Sequence, residues 1–131
     1  MTTPRKRVLV VEDTALQRDL LVQLLEDGYD VITAVNGEEG VAQAELHRPD
    51  LILMDLSLPV VDGWNAARRI KANDALKDIP VIAVSAHAMS GDEAKARACG
   101  CDDYLSKPIR EELLFEKLAR FLGPIALGGH P

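Results

Sequence analysis

An open, doubly wound α/β sheet is the fold class the sequence predicts, and three observations predict it. Three short apolar runs, Val8-Leu9-Val10-Val11, Leu51-Ile52-Leu53-Met54 and Val81-Ile82-Ala83-Val84, lack the polar alternation of a half-exposed strand, so they read as strands buried on both faces. Segments with helical spacing separate them. The connections are short, and strict alternation of strand and helix with right-handed crossovers makes a parallel sheet covered on both sides.

Two further runs, Val31 to Ala34 and Asp103 to Ser106, are mixed in polarity and suit the edges of a five-stranded sheet. The first helix is expected from about Thr14, with Leu16, Leu20, Leu21, Leu24 and Leu25 on one inward stripe and Gly28 as a left-handed C-terminal cap. Thr14 with Gln17, Asn36 with Glu39 and Ser90 with Glu93 have the spacing of helix starts after strands one, two and four. A third helix should follow Asp62-Gly63 with Trp64, Ala67 and Ile70 inward. A fifth should run from about Arg110 to Leu122 with Leu114, Leu118 and Phe121 inward, ended by Gly123 and Pro124. This gives one domain over residues 5–122 and a flexible tail over 123–131.

Composition narrows the function. The net charge is −6, and the one basic cluster, Arg5-Lys6-Arg7, precedes a strand instead of lining a helix, so direct nucleic-acid binding is not expected. No apolar stretch is long enough to span a bilayer, which predicts a cytoplasmic protein with no membrane contact. Cys99 and Cys101 are too few for a disulfide framework or a structural zinc and read as two small half-buried thiols.

The functional argument lies where the strands stop. Strand one runs into Glu12-Asp13, strand three into Asp55, strand four into Ser85 and strand five into Ser106-Lys107. In a parallel sheet these positions share the carboxyl edge, where open α/β folds bind ligands. Three converging carboxylates raise one another's pKa unless a cation compensates them, and hard oxygens that leave room for water and phosphate suit Mg²⁺. Lys107 adds a point charge for phosphate and Ser85 a hydroxyl donor, the parts that phosphoryl transfer uses, with a carboxylate as a possible nucleophile.

On these residues the chain resembles the receiver domains of two-component response regulators. The resemblance is carried by Val10-Val11-Glu12-Asp13, Leu53-Met54-Asp55-Leu56-Ser57-Leu58-Pro59, Asp62-Gly63, Pro80 to Ala86, and Tyr104-Leu105-Ser106-Lys107-Pro108, in that order over nearly all of residues 5–122. It implies a flavodoxin-like strand order 2-1-3-4-5, with Asp55 as phosphoacceptor and Mg²⁺ held by Glu12, Asp13, Asp55 and the backbone carbonyl of Ser57. It also implies that Lys107 and Ser85 contact the phosphoryl group, that Tyr104 follows Ser85 as a switch by rotating inward, and that the Lys107-Pro108 bond is cis. The phosphoryl donor would be a sensor histidine kinase or a histidine phosphotransfer domain. A downstream protein would read the face formed by the fourth helix, fifth strand and fifth helix. Glu12 stands where the family more often has aspartate, which adds a methylene between backbone and cation.

Three other readings compete. The segment from Ala86 to Glu93 with Cys99-Gly100-Cys101 resembles small cell-cycle-type regulators and equally the receivers of hybrid histidine kinases, so a module of a larger kinase is the nearest alternative. An aspartate-nucleophile phosphohydrolase would need a cap or substrate-binding segment, which is not seen in the sequence. A flavodoxin-like cofactor binder is disfavoured by the acidic Glu12-Asp13-Thr14 loop, where a phosphate cradle would be glycine-rich.

Overall fold

In the computed structural model, residues 5–56, 63–86 and 91–123 are described. Their order is β1 (Arg7–Val11), α1 (Ala15–Leu25), β2 (Asp30–Ala34), α2 (Gly37–His47), β3 (Leu51–Asp55), α3 (Gly63–Ala72), β4 (Val81–Ser85), α4 (Asp92–Ala98), β5 (Asp103–Ser106) and α5 (Glu111–Leu122). The strands form one parallel sheet in the order β2-β1-β3-β4-β5. The expected order is met, with the two polar-mixed runs at the edges. Ser57, the Val60-Val61 pair, Asp62, His87, Ser90 and the 124–131 tail lie outside the described residues.

Period-two alternation divides the core between the two faces. Val8, Val10, Leu51, Leu53, Ile82, Val84 and Leu105 pack with Leu21 and Leu25 of α1 and Leu114 and Leu118 of α5. Leu9, Val11, Ile52, Met54, Val81, Ala83 and Tyr104 pack with Ala44 of α2, Ala66, Ala67 and Ile70 of α3 and Ala96 of α4. Both faces are therefore dry, which is why β3 and β4 are buried along their whole length and carry no polar alternation.

Several local expectations are corrected. Leu16 is 69% and Leu20 51% exposed, so the α1 stripe is narrower than its leucines suggest: the sheet takes Leu21 and Leu25, with Leu24 half-buried. α1 ends at Leu25 with Glu26 in right-handed conformation, and Gly28 is not among the positive-φ glycines. Gly28 and Tyr29 instead donate their N–H groups to Leu25, closing the turn without a left-handed residue. Thr14 makes no side-chain cap, whereas Asn36 accepts from the Glu39 N–H as expected. Phe121 and Trp64 are half-buried at the margins of the core.

Candidate functional site

Because all five strands run the same way, their carboxyl ends meet along one edge, and β1, β3 and β4 end side by side there. Main-chain hydrogen bonds continue past the strands and fix the spacing of that edge. Glu12 N–H donates to Ala34, Leu56 N–H to Val84, and Lys107 N–H to the Ser85 carbonyl at 2.8 Å. Arg18 on α1 donates to the carbonyls of Glu12 at 3.0 Å and Asp13 at 3.5 Å, tying the first turn of the helix over the acidic loop. Gly63 is dictated by the site's geometry: a Cβ there would lie 2.1 Å from the Asp55 carbonyl oxygen and 2.6 Å from the Leu56 Cα. Any side chain at that position would push α3 away from the end of β3.

Glu12, Asp13 and Asp55 each offer a carboxylate oxygen, and these lie within 4.8 Å of one another. Glu12 and Asp55 are 2% and 4% exposed, while Asp13 faces solvent. The Lys107 ammonium sits between the two buried acids, 3.2 Å from Glu12 Oε1 and 3.2 Å from Asp55 Oδ2. Its peptide bond to Pro108 is cis, as expected.

The charges are unevenly matched. Burial pushes the Glu12 carboxyl from its ordinary 4.5 up to about 6; the Asp55 charge and a hydrogen bond with Asp13 push the same way, against the Thr14 N–H and Lys107. Burial acts on Lys107 in the opposite sense, but Asp55 and Glu12 outweigh it and hold the ammonium above its ordinary value. The lysine thus sees two acids, whereas Glu12 shares its one lysine with a second carboxylate. Such a site favours added positive charge, and three hard oxygen donors can hold a metal ion.

Ser85 and Tyr104 lie on the other side of the same edge. Ser85 shares the pleat face of Val81 and Ala83, so it looks toward α4. Its hydroxyl donates to Asp92 Oδ2 in the first turn of α4, a partner that the reading of the sequence did not single out. Tyr104 is paired in register with Ala83, is 7% exposed, and its hydroxyl is buried with no hydrogen-bond partner among the described residues. The Tyr104 ring is thus buried in this conformation.

Beside Glu12 and Lys107 an apolar groove of about 850 Å³ opens between α1 and the start of α5, lined by Leu20, Leu21, Leu24, Pro108 and Ile109. Of the exposed α1 leucines, Leu20 belongs to its lining. No helix among the described residues is long and apolar enough to cross a membrane.

Comparison with known proteins agrees with this geometry. The response regulator receiver domain family matches residues 8–119. The polar-differentiation response regulator DivK of Brucella anthropi is 46% identical over 119 residues, 90% of this chain and 97% of that protein, and DivK of Brucella ovis is 44% identical over the same length. The receiver domain of the sensor histidine kinase PA1611 from Pseudomonas aeruginosa, solved with a magnesium ion coordinated in its active-site cleft, superposes with a TM-score of 0.85 at 36% identity, covering 92% of this chain and 100% of that one. The receiver domain of Ssk1 from Saccharomyces cerevisiae, solved with the histidine phosphotransfer protein Ypd1, gives a TM-score of 0.82 at 30% identity, over 92% of this chain and 91% of that one. With its carboxyl-edge acids, lysine and strand order in place, the chain belongs to the response regulator receiver domain family, a family of signalling domains.

Proposed function

We propose that Asp55 accepts a phosphoryl group from a phosphohistidine on a histidine kinase or phosphotransfer protein, and that the acceptance alters the surface through which this receiver meets its partner. The observation that carries the reading is the convergence of Glu12, Asp13 and Asp55 oxygens within 4.8 Å with Lys107 at 3.2 Å from two of them. In the transfer an Asp55 carboxylate oxygen forms a bond to phosphorus as the donor N–P bond breaks, and the departing imidazole nitrogen keeps the electron pair. Lys107 keeps its proton throughout and shifts its hydrogen bonds toward the incoming phosphoryl oxygens.

Glu12, Asp13, Asp55 and the Ser57 carbonyl are the groups that would hold Mg²⁺. The donor set suits it, being hard oxygen with partial solvent access at Asp13. When bound, the ion supplies charge neutralisation for the carboxylates and the transferred group. The longer Glu12 side chain is already engaged with the Thr14 N–H at 3.1 Å and with Lys107, which favours contact through water.

A macromolecular donor approaches from the carboxyl edge, where exposed Leu20 borders the cleft. The effector face is assigned to α4, β5 and α5, because Ser85 and Tyr104 both look toward α4. The receiver unit is proposed to span residues 5–122 and to act as a stand-alone switch, a reading supported by the 97% of the DivK relatives' length that the match covers. Incubation with Mg²⁺ and a phosphohistidine donor should label the wild type and leave Asp55→Asn unlabelled. Equal labelling of both would overturn the assignment.

A further inference from the structure

We propose that Asp92 is a positioning residue that holds the Ser85 hydroxyl away from the phosphoryl site and thereby makes the first turn of α4 the direct sensor of that site. The inference rests on the reading of Asp55 as phosphoacceptor. Ser85 is 1% and Asp92 9% exposed, and the Ser85 hydroxyl donates to Asp92 Oδ2 across seven residues of chain. A serine hydroxyl has one proton to donate, and an ionised carboxylate only accepts. Asp92 and a phosphoryl oxygen on Asp55 are therefore alternative acceptors, and Ser85 cannot serve both. When Ser85 turns to the phosphoryl group, Asp92 is left as a buried anion without this donor, and it recovers solvation only if the start of α4 moves outward.

The rest of α4 is arranged so that this movement is felt. The helix has only seven residues, so one turn is more than half of it. Its far end is fastened by Arg97, 3.7 Å from Asp103, and by the Cys101 N–H on the Ala96 carbonyl. Ala96 packs in the same buried cluster as Tyr104. Freeing the first turn thus pivots α4 about its anchored end and loosens the wall against the ring. The Tyr104 hydroxyl, buried without a partner among the described residues, gains from any change that brings it an acceptor.

The test uses beryllofluoride with Mg²⁺ as phosphoryl mimic on the full chain, in wild type, Asp92→Ala, Ser85→Ala and the double variant. Asp92→Ala should bind the mimic about tenfold more tightly, the ratio that one hydrogen bond to a charged group is worth, and Asp92→Asn should fall between. In the Ser85→Ala background, Asp92→Ala should leave the affinity unchanged, since no hydroxyl remains to compete for. Equal tightening in both backgrounds would reduce Asp92 to a nearby repelling charge, and no tightening in either would remove it from the mechanism. A second readout needs no mimic: hydrogen exchange at residues 93–98 should quicken in Ser85→Ala as it does in Asp92→Ala. Exchange as slow in Ser85→Ala as in wild type would show that the bond does not fasten the helix. If the wild type fails to bind the mimic at all, the phosphoacceptor reading falls, and the exchange comparison alone decides whether the latch exists.

Discussion

Glu12 and Asp103 are two carboxylates of nearly equal burial, 2% and 3% exposed, and the fold drives them in opposite directions. Burial would raise both. At Asp103 it is overcome by a hydrogen bond from Lys117, one from the Tyr104 N–H, and the charges of Lys117 and Arg120, so the carboxyl lies below its ordinary value. Lys117 stands at 2.9 Å, Arg120 at 3.4 Å and Arg97 at 3.7 Å, three cations from α4 and α5 on one acid. At Glu12 the ratio is inverted, with one lysine divided between two buried acids. Burial raises both, and the sign of the difference comes from how many cations and donors answer it. A surplus of positive charge makes Asp103 a fastener between β5 and its flanking helices, while a deficit leaves the carboxyl edge short of positive charge, as the proposed cation and phosphoryl site requires.

The largest expected effect tests the fastener. Asp103→Ala removes the acceptor of Lys117, whose side chain is 16% exposed, while Arg120 and Arg97 are open enough to turn to water. Breaking one side of a buried pair costs upward of 3 kcal/mol, and the two solvated arginines place this case at the low end, about 3 kcal/mol. Urea unfolding measures it. A loss below about 1 kcal/mol would make Asp103 an ordinary surface acid in energetic terms.

The second test reverses the sign at the other acid. Because the folded state favours the neutral form of Glu12, Glu12→Gln should stabilise the cation-free chain at pH 8. A rise from 4.5 to about 6, at ~1.4 kcal/mol per pKa unit, bounds the gain at about 2 kcal/mol. The same change should weaken Mg²⁺ binding at the proposed site. A cation-free variant that melts below the wild type would mean that the Lys107 pair, and not the deficit, dominates Glu12.

The contrast also explains what was legible in the sequence. The deficit could be read because its members end successive strands, and a parallel sheet brings strand ends together whatever the side chains do. The surplus could not: Lys117 and Arg120 meet Asp103 only through the docking of α5, and 14 or 17 residues of separation leave no local signature. The Ser85–Asp92 bond was hidden for the same reason, since seven residues of separation across a strand end and a helix start leave no local signature. The α1 leucines failed differently. Five of them wrap too far round the helix for one sheet face, so periodicity identified the helix, while tertiary packing chose which leucines the core would take.

The smallest expected effect is a pH profile that separates the two acids within one protein. Glu12 has a raised folded-state pKa, so its favourable contribution is fully present below 4.5 and is lost as pH rises through about 6. Lowering the pH of the cation-free chain from 7 to 5 should therefore increase stability by about 1 kcal/mol, because the folded state takes up the Glu12 proton before the unfolded state does. Asp103 has a depressed pKa, so its contribution is present above its ordinary 3.8 and is lost only as pH falls through the lower folded value. The two slopes have opposite sign and occupy different windows, which sets a maximum between them. Other groups titrate across the same range, so the difference between wild type and Glu12→Gln is the quantity to measure. That difference should shrink from pH 8 to pH 5 and vanish once Glu12 is protonated in both states. The difference between wild type and Asp103→Ala should hold steady over the interval and decline only at the acid end. A Glu12→Gln difference that stays constant from pH 8 to pH 5 would show that the carboxyl edge carries no charge deficit, and that the two acids differ in position alone.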